Sequence, residues 1–328
     1  MPTAELDHPG LFVTPGGSVG AWEAPPPPPA PPPPPLPSLE ARARRRRRLG
    51  SVAIGAVVVV GTFLGWGPAV GVLLGFALFT PLERRYRRHD WPIRRPQLRT
   101  DILHFLFTGV LNTASLVVGI GVVWLALHWF EIGATRAAWL ALPTWAKAIG
   151  GLVLFEIFGY WYHRWSHEVP LLWRFHSVHH SSEHLDWLAG PRLHPLEGFF
   201  AAFVVAPPFI LLGVRPLEVT ALSVITTIWA ILIHSNVSWR MRWLDGIVGT
   251  PEYHHWHHSS HPEAWDRNYS GLMPVLDRIF GTYYQPKDSR PEAYGIEGGI
   301  PDGWWRQMLF PFREGRRRAR LAGRRAGG

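Results

Sequence analysis

The chain has no cysteine, and only two of its 33 basic residues are lysine. Without cysteine there is no disulfide, no thiolate-bound metal and no iron–sulfur cluster carried by the chain itself. A glycine-rich dinucleotide fingerprint and a fused haem-domain pattern are also missing, so electrons for any redox chemistry have to come from another protein. The first residues lack a basic segment followed by an apolar core, and no signal peptide is expected. Acidic residues are the minority, 24 against 33, which leaves a formal net charge of +9. Such a charge can mark nucleic-acid binding. Here the arginines border long apolar runs, so lipid headgroups and membrane orientation explain them and no nucleic-acid partner is expected.

What is present is apolar sequence interrupted by arginine. Residues 1–48 read as a disordered tail, rich in proline and then in arginine, with Pro25–Pro29 and Pro31–Pro35 favouring extended polyproline II. Residues 49–100 read as a helical hairpin and a basic linker. The apolar run from Leu49 to Pro81 is broken by Gly-Trp-Gly-Pro at 65–68 and has arginines at both ends, which places both ends in the cytoplasm. Its second arm, about thirteen residues or about 20 Å, is short for a bilayer core of about 30 Å. Two spans follow, Phe105–Phe130 and Trp145–Tyr162, joined by a loop at 131–143. Leu196–Leu212 and Leu217–Ile233 form a second hairpin. The expectation is an all-α, polytopic membrane protein: two spanning helices and two helical hairpins under a histidine-rich cap on the cytoplasmic face. Residues 286–328 read as a basic C-terminal tail resting on lipid headgroups. Trp161, Trp165, Trp173, Trp187, Trp256 and Tyr160 read first as an interfacial aromatic belt, and some of them could wall a substrate channel.

Histidine is concentrated where these helices return to the basic side. His163 and His167 are four apart and share a helical face; His176, His179 and His180 form an H-x-x-H-H unit, which recurs as His254, His257 and His258. A neutral imidazole offers one lone pair to a metal. Eight such ligands exceed the four of a closed zinc site, so two metal ions are implied. Glu156 lies in an apolar span seven residues before His163. A carboxylate at that depth is expected to accept a hydrogen bond from a ligand imidazole, with a buried ion pair as the plainer alternative. His255 points off the ligand face, and His184 and His261 stay unassigned. His8, His89, His104 and His128 read as structural.

The three boxes in this order resemble the fatty acid hydroxylase/sterol desaturase superfamily of membrane di-iron enzymes. The likeness runs from about Asp101 to Gln285, over which a catalytic domain is expected. It includes EIFGYWYHRWSH (156–167), RLHPLEG (192–198), IHSN (233–236) and RNYSGLMPVLDRIFGTYY (267–284). The resemblance adds His194 and His234 as ligands and places Asp277 and Arg278 near the site, either as an outer shell or as an ion pair. Asp186, Asn236 and Asn268 are weaker candidates for the outer shell. It also implies two iron ions and O2 as co-substrate. The lipid substrate is to be hydroxylated or desaturated, with electrons from an external reductase, ferredoxin or cytochrome, at a bacterial inner membrane. The residues alone leave two other classes open: a zinc-dependent membrane hydrolase and a non-catalytic metal-binding membrane protein.

Overall fold

The computed structural model describes residues 11–13, 19–21, 68–130, 133–214 and 216–313. The proline tracts, the arginines at 42–48, the first hairpin arm and the arginines beyond Arg313 lie outside the described residues. The chain divides into two compact units, Met1–Arg45 and Arg46–Gly328. In the first, β1 (Leu11–Val13) pairs antiparallel with β2 (Val19–Ala21), Phe12 opposite Gly20. This short ladder departs from the all-α expectation and from the reading of residues 1–48 as structureless.

The second unit is helical, in this order: α1 (Pro68–Tyr86), α2 (Leu98–Leu127), α3 (Gly133–Ala141), α4 (Thr144–Glu168), α5 (Pro170–His176), α6 (Leu196–Leu211), α7 (Pro216–His234), α8 (Pro251–His257) and α9 (Val275–Ile279). A last helix, α10, covers 304–313. α1 has 19 residues, more than the arm expected, because the helix continues through Pro81 and the charged Glu83–Arg85 turn. α3 occupies most of the stretch read as a loop.

α2 contains a π-helical turn at His104–Thr108. Its mean hydropathy is 2.1 and only 11% of its apolar window is buried, so its side chains face outward. Among the described residues it is the one helix long and apolar enough to cross a membrane; the apolar stretches Leu196–Leu211 and Leu222–His234 are shorter.

Small residues let α2 and α6 approach closely. A Cβ on Gly119 would lie 2.6 Å from Ala202 Cβ, and one on Gly198 would lie 2.5 Å from the Asn112 carbonyl oxygen. The C-terminal stretch is more than a basic tail. In α10, Gln307 is buried against His104 (Oε1 to Nε2, 2.8 Å) and Trp304 Nε1 donates to Thr108 Oγ1. His104 is therefore structural, with Thr108 on its other nitrogen. Trp187, Trp256 and Tyr160 are buried core side chains and not members of a belt, whereas Trp165 is half exposed.

Candidate metal centre

Four helix ends bring the histidines together, α7 contributing its last residue, His234. α4 carries His163 and His167 one turn apart at its C-terminus. Pro170 then forces Val169 into an extended conformation and opens α5 at its first turn, so α5 runs only to His176 and a 3-10 turn at His179–Ser181 follows. Thr250 caps α8, its hydroxyl accepting the Tyr253 N–H, with Pro251 at the first helical position. The result is two groups of nitrogen atoms, each group within 4.8 Å: His163, His167, His176, His180 and His257 in the first, His179, His234, His254 and His258 in the second. Each H-x-x-H-H unit is split between the groups: its first and third histidines, four apart, share one group and the middle one joins the other. The groups abut where the rings of His180 and His258 stack at 4.3 Å.

Proton bookkeeping decides what the groups can bind. A carbonyl or carboxylate oxygen only accepts, so a ring nitrogen bonded to one carries the proton and the other nitrogen of a neutral ring is bare. Nδ1 donates to the Tyr269 carbonyl from His163 (2.6 Å), to Glu197 Oε2 from His176 (2.8 Å) and to the Arg267 carbonyl from His257 (2.7 Å). In the second group, Nδ1 of His179 donates to the Arg192 carbonyl (3.1 Å) and that of His234 to the Ala230 carbonyl (2.6 Å). Bare Nε2 atoms therefore face each other, His163 to His176 at 3.1 Å and His179 to His234 at 3.2 Å. Nε2 of His167, His180 and His257 is buried with no partner among the described residues.

Protonation does not relieve this crowding. Burial, and then the neighbouring imidazoles, hold His179, His180, His254 and His258 well below the usual 6.5, and burial takes His257 to about 3. A cation that accepts nitrogen lone pairs satisfies both groups, so the donor set fits a metal at each.

Nine of the ten expected ligands lie in these groups. His194 does not. Its Nδ1 accepts the Leu196 N–H and its Nε2 donates to the Met308 carbonyl, which leaves no lone pair. The signal that selected it, a histidine at the head of an apolar helix, belongs here to a turn contact. Glu156 is also corrected: Oε2 accepts the N–H groups of Leu272 and Met273, not an imidazole. Asp277 accepts from Tyr269 N and Ser270 N, so it reaches His163 only through the Tyr269 peptide. Arg278 turns to the Asp245 carbonyl and does not pair with Asp277.

His255 lies outside both groups, with Nε2 donating to the Ser235 carbonyl and Nδ1 accepting from Tyr294. His184 and His261 are outside as well. Asn236 ties the backbone of His89, and Asn268 that of Tyr253 and Tyr284. The residue missed is Glu197. It stands in the HPLE piece as a carboxylate in the first turn of an apolar helix, the same signal that singled out Glu156.

Residues 148–282 match the family model for fatty acid hydroxylase. An ornithine lipid hydroxylase of Rhizobium tropici is 30% identical over 263 residues, 76% of this chain and 75% of that protein. An alkylglycerol monooxygenase of Danio rerio is 30% identical over 175 residues, but the match covers 53% of this chain and only 36% of the relative. A Delta(7)-sterol 5(6)-desaturase of Gibberella zeae is 25% identical over 238 residues, 68% of this chain and 67% of that protein. No solved structure matches significantly. With two thirds or more of a 30% identical relative covered, the chain belongs to the fatty acid hydroxylase/sterol desaturase superfamily.

Proposed function

We propose that the protein is an integral membrane, O2-dependent di-iron oxidoreductase that hydroxylates a C–H bond of a lipid. The observation that carries this reading is the set of bare Nε2 atoms turned toward one another in two adjoining groups. Five donors in the first group exceed the four of an ordinary zinc site, which favours iron over the hydrolase alternative. Iron bound at both groups supplies the reduction of O2 and the removal of hydrogen from an unactivated carbon. The protein's part is to fix the tautomers of His163, His176, His257, His179 and His234 through Tyr269, Glu197, Arg267, Arg192 and Ala230, and to keep seven of the nine imidazoles buried from water. The named relatives act on ornithine lipids, alkylglycerols and sterols, so the substrate class proposed is a lipid with a polar head, with electrons from an external donor.

Purified protein should hold two iron ions per chain and, with a chemical reductant and lipid, consume O2 as the lipid gains one oxygen atom. Full activity with bound zinc and no O2 uptake refutes the reading in favour of a hydrolase.

The arginines at 84–99 support a cytoplasmic site, with α2 and α4 crossing out and back. Because the chain has no cysteine, single Asp90→Cys and Ala134→Cys variants test this with a membrane-impermeant thiol reagent. Asp90→Cys should label only from the cytoplasmic side and Ala134→Cys only from the other; labelling of both from one side rejects the topology.

A further inference from the structure

We infer that the buried ion-pair cluster of Arg95, Asp101, Asp186 and Arg192 is a positioning device for the second histidine group, fixing the separation of His179 and His234. The inference rests on the proposed reading that this group holds a metal.

Arg192 and Asp101 are fully buried. Arg192 Nε donates to Asp101 Oδ1 at 2.6 Å and its Nη2 pairs with the same oxygen. Arg95 pairs with Asp101 Oδ2 at 2.7 Å and grips Asp186 through two bonds, Nε to Oδ2 at 2.6 Å and Nη2 to Oδ1 at 2.7 Å. Two cations and two anions alternate, so each buried charge has an opposite neighbour, the condition under which such a cluster is tolerated. Gln97 adds an acceptor for Arg192 Nη1 at 2.9 Å, from a backbone with φ 64. A non-glycine residue held there points to a demand on its side chain.

Two routes, from Asp186 and from Arg192, lead from the cluster to the second group. Asp186 Oδ1 also accepts the N–H groups of Leu188 and Ala189, each at 3.1 Å, which fixes the loop that follows it. That loop presses Gly190 so closely on His234 that a Cβ there would lie 3.2 Å from the ring. It ends at Arg192, whose own carbonyl accepts the hydrogen bond from His179 Nδ1. Arg192 Nη1 further donates to Ser181 Oγ at 3.2 Å, and Ser181 closes onto the Val178 carbonyl, so the turn bearing His179 is held from both sides. The guanidinium fixes the peptide, and the peptide fixes the imidazole. Of the first group only His180 shares that turn, and the Nδ1 partners of that group are Glu197 and the Arg267 and Tyr269 carbonyls. Asp101 stands in the first turns of α2, so the clamp also ties that helix to the second group.

The test is chelator competition on metal-loaded protein, with thermal unfolding followed in parallel. Asp101→Asn leaves the buried Arg192 short of a charge partner and is open to misfolding. The double variant Asp101→Asn/Arg192→Met removes both charges together and is the one that keeps the fold. In either folded variant the ion at the second group should be lost about 10–100-fold more readily, and the ion at the first group, which meets the clamp only through His180, should be affected less. Retention of both ions at wild-type affinity overturns the clamp alone, as does loss of both in step with thermal unfolding. Wild-type protein without any metal overturns the functional reading and the clamp with it.

Discussion

His254→Ala and His257→Ala, three residues apart in one short helix, should each leave a single metal ion per chain and no measurable turnover. They should empty different sites. His257 faces His163, His167, His176 and His180, whereas His254 faces His179, His234 and His258. Its Nε2 lies 3.0 Å from that of His234 and 3.1 Å from that of His258. Each substitution deletes one donor from one group and leaves the other group complete. Oxygen chemistry that needs both ions stops in either case. His255→Ala is the matched control from the same turn, since neither of its nitrogens faces a group. It strips partners from the Ser235 carbonyl and from Tyr294 and opens a cavity, so it should cost roughly 2–4 kcal/mol of stability while both metals stay. Metal analysis and O2 uptake on folded protein decide the matter. Two metals in active His257→Ala protein would refute the two-group assignment.

That split was not read from the sequence, although nine of the ten histidines named there lie in the two groups. His176, His179 and His180 have the spacing of one helical face, and a helical wheel puts them on one metal. Yet His176 and His180, four apart, stay together while His179 joins the other group, and His254, His258 and His257 repeat the pattern on α8, so neighbouring histidines about 100° apart serve different groups. The long apolar helix was visible for the opposite reason: a run such as Val110–Leu127 announces itself by length and composition alone. Contacts between distant residues were the least visible. Glu156 was singled out correctly as a costly carboxylate, but its partners are peptides more than a hundred residues away. His194 looked like a ligand until Leu196 and Met308 claimed both its nitrogens. α10 was hidden in a basic C-terminus, because the burial of Gln307 depends on His104 about two hundred residues earlier.

Glu197→Gln should weaken metal binding at the first group by about 10–100-fold and lower activity in step. Glu197 is hydrogen-bonded to a candidate ligand imidazole, Oε2 accepting from His176 Nδ1 at 2.8 Å while Oε1 accepts the His194 N–H at 2.9 Å; Asp266, mostly exposed, stands farther off, 3.5 Å from His167 Nδ1. A carboxylate draws the Nδ1 proton toward itself and leaves Nε2 a stronger donor to a cation; a neutral amide of the same shape does so far less. The amide can still accept from one of the two N–H groups, so the fold survives and the loss appears in affinity. Glu156→Gln gives the contrast. Its carboxylate holds only the Leu272 and Met273 N–H groups, a task the amide carbonyl can share, so that variant should lose some stability and keep both metals. Chelator competition with thermal unfolding on both variants separates the cases. If Glu197→Gln binds its metals as tightly as the wild type, the carboxylate only caps the turn at His194 and has no hold on the metal.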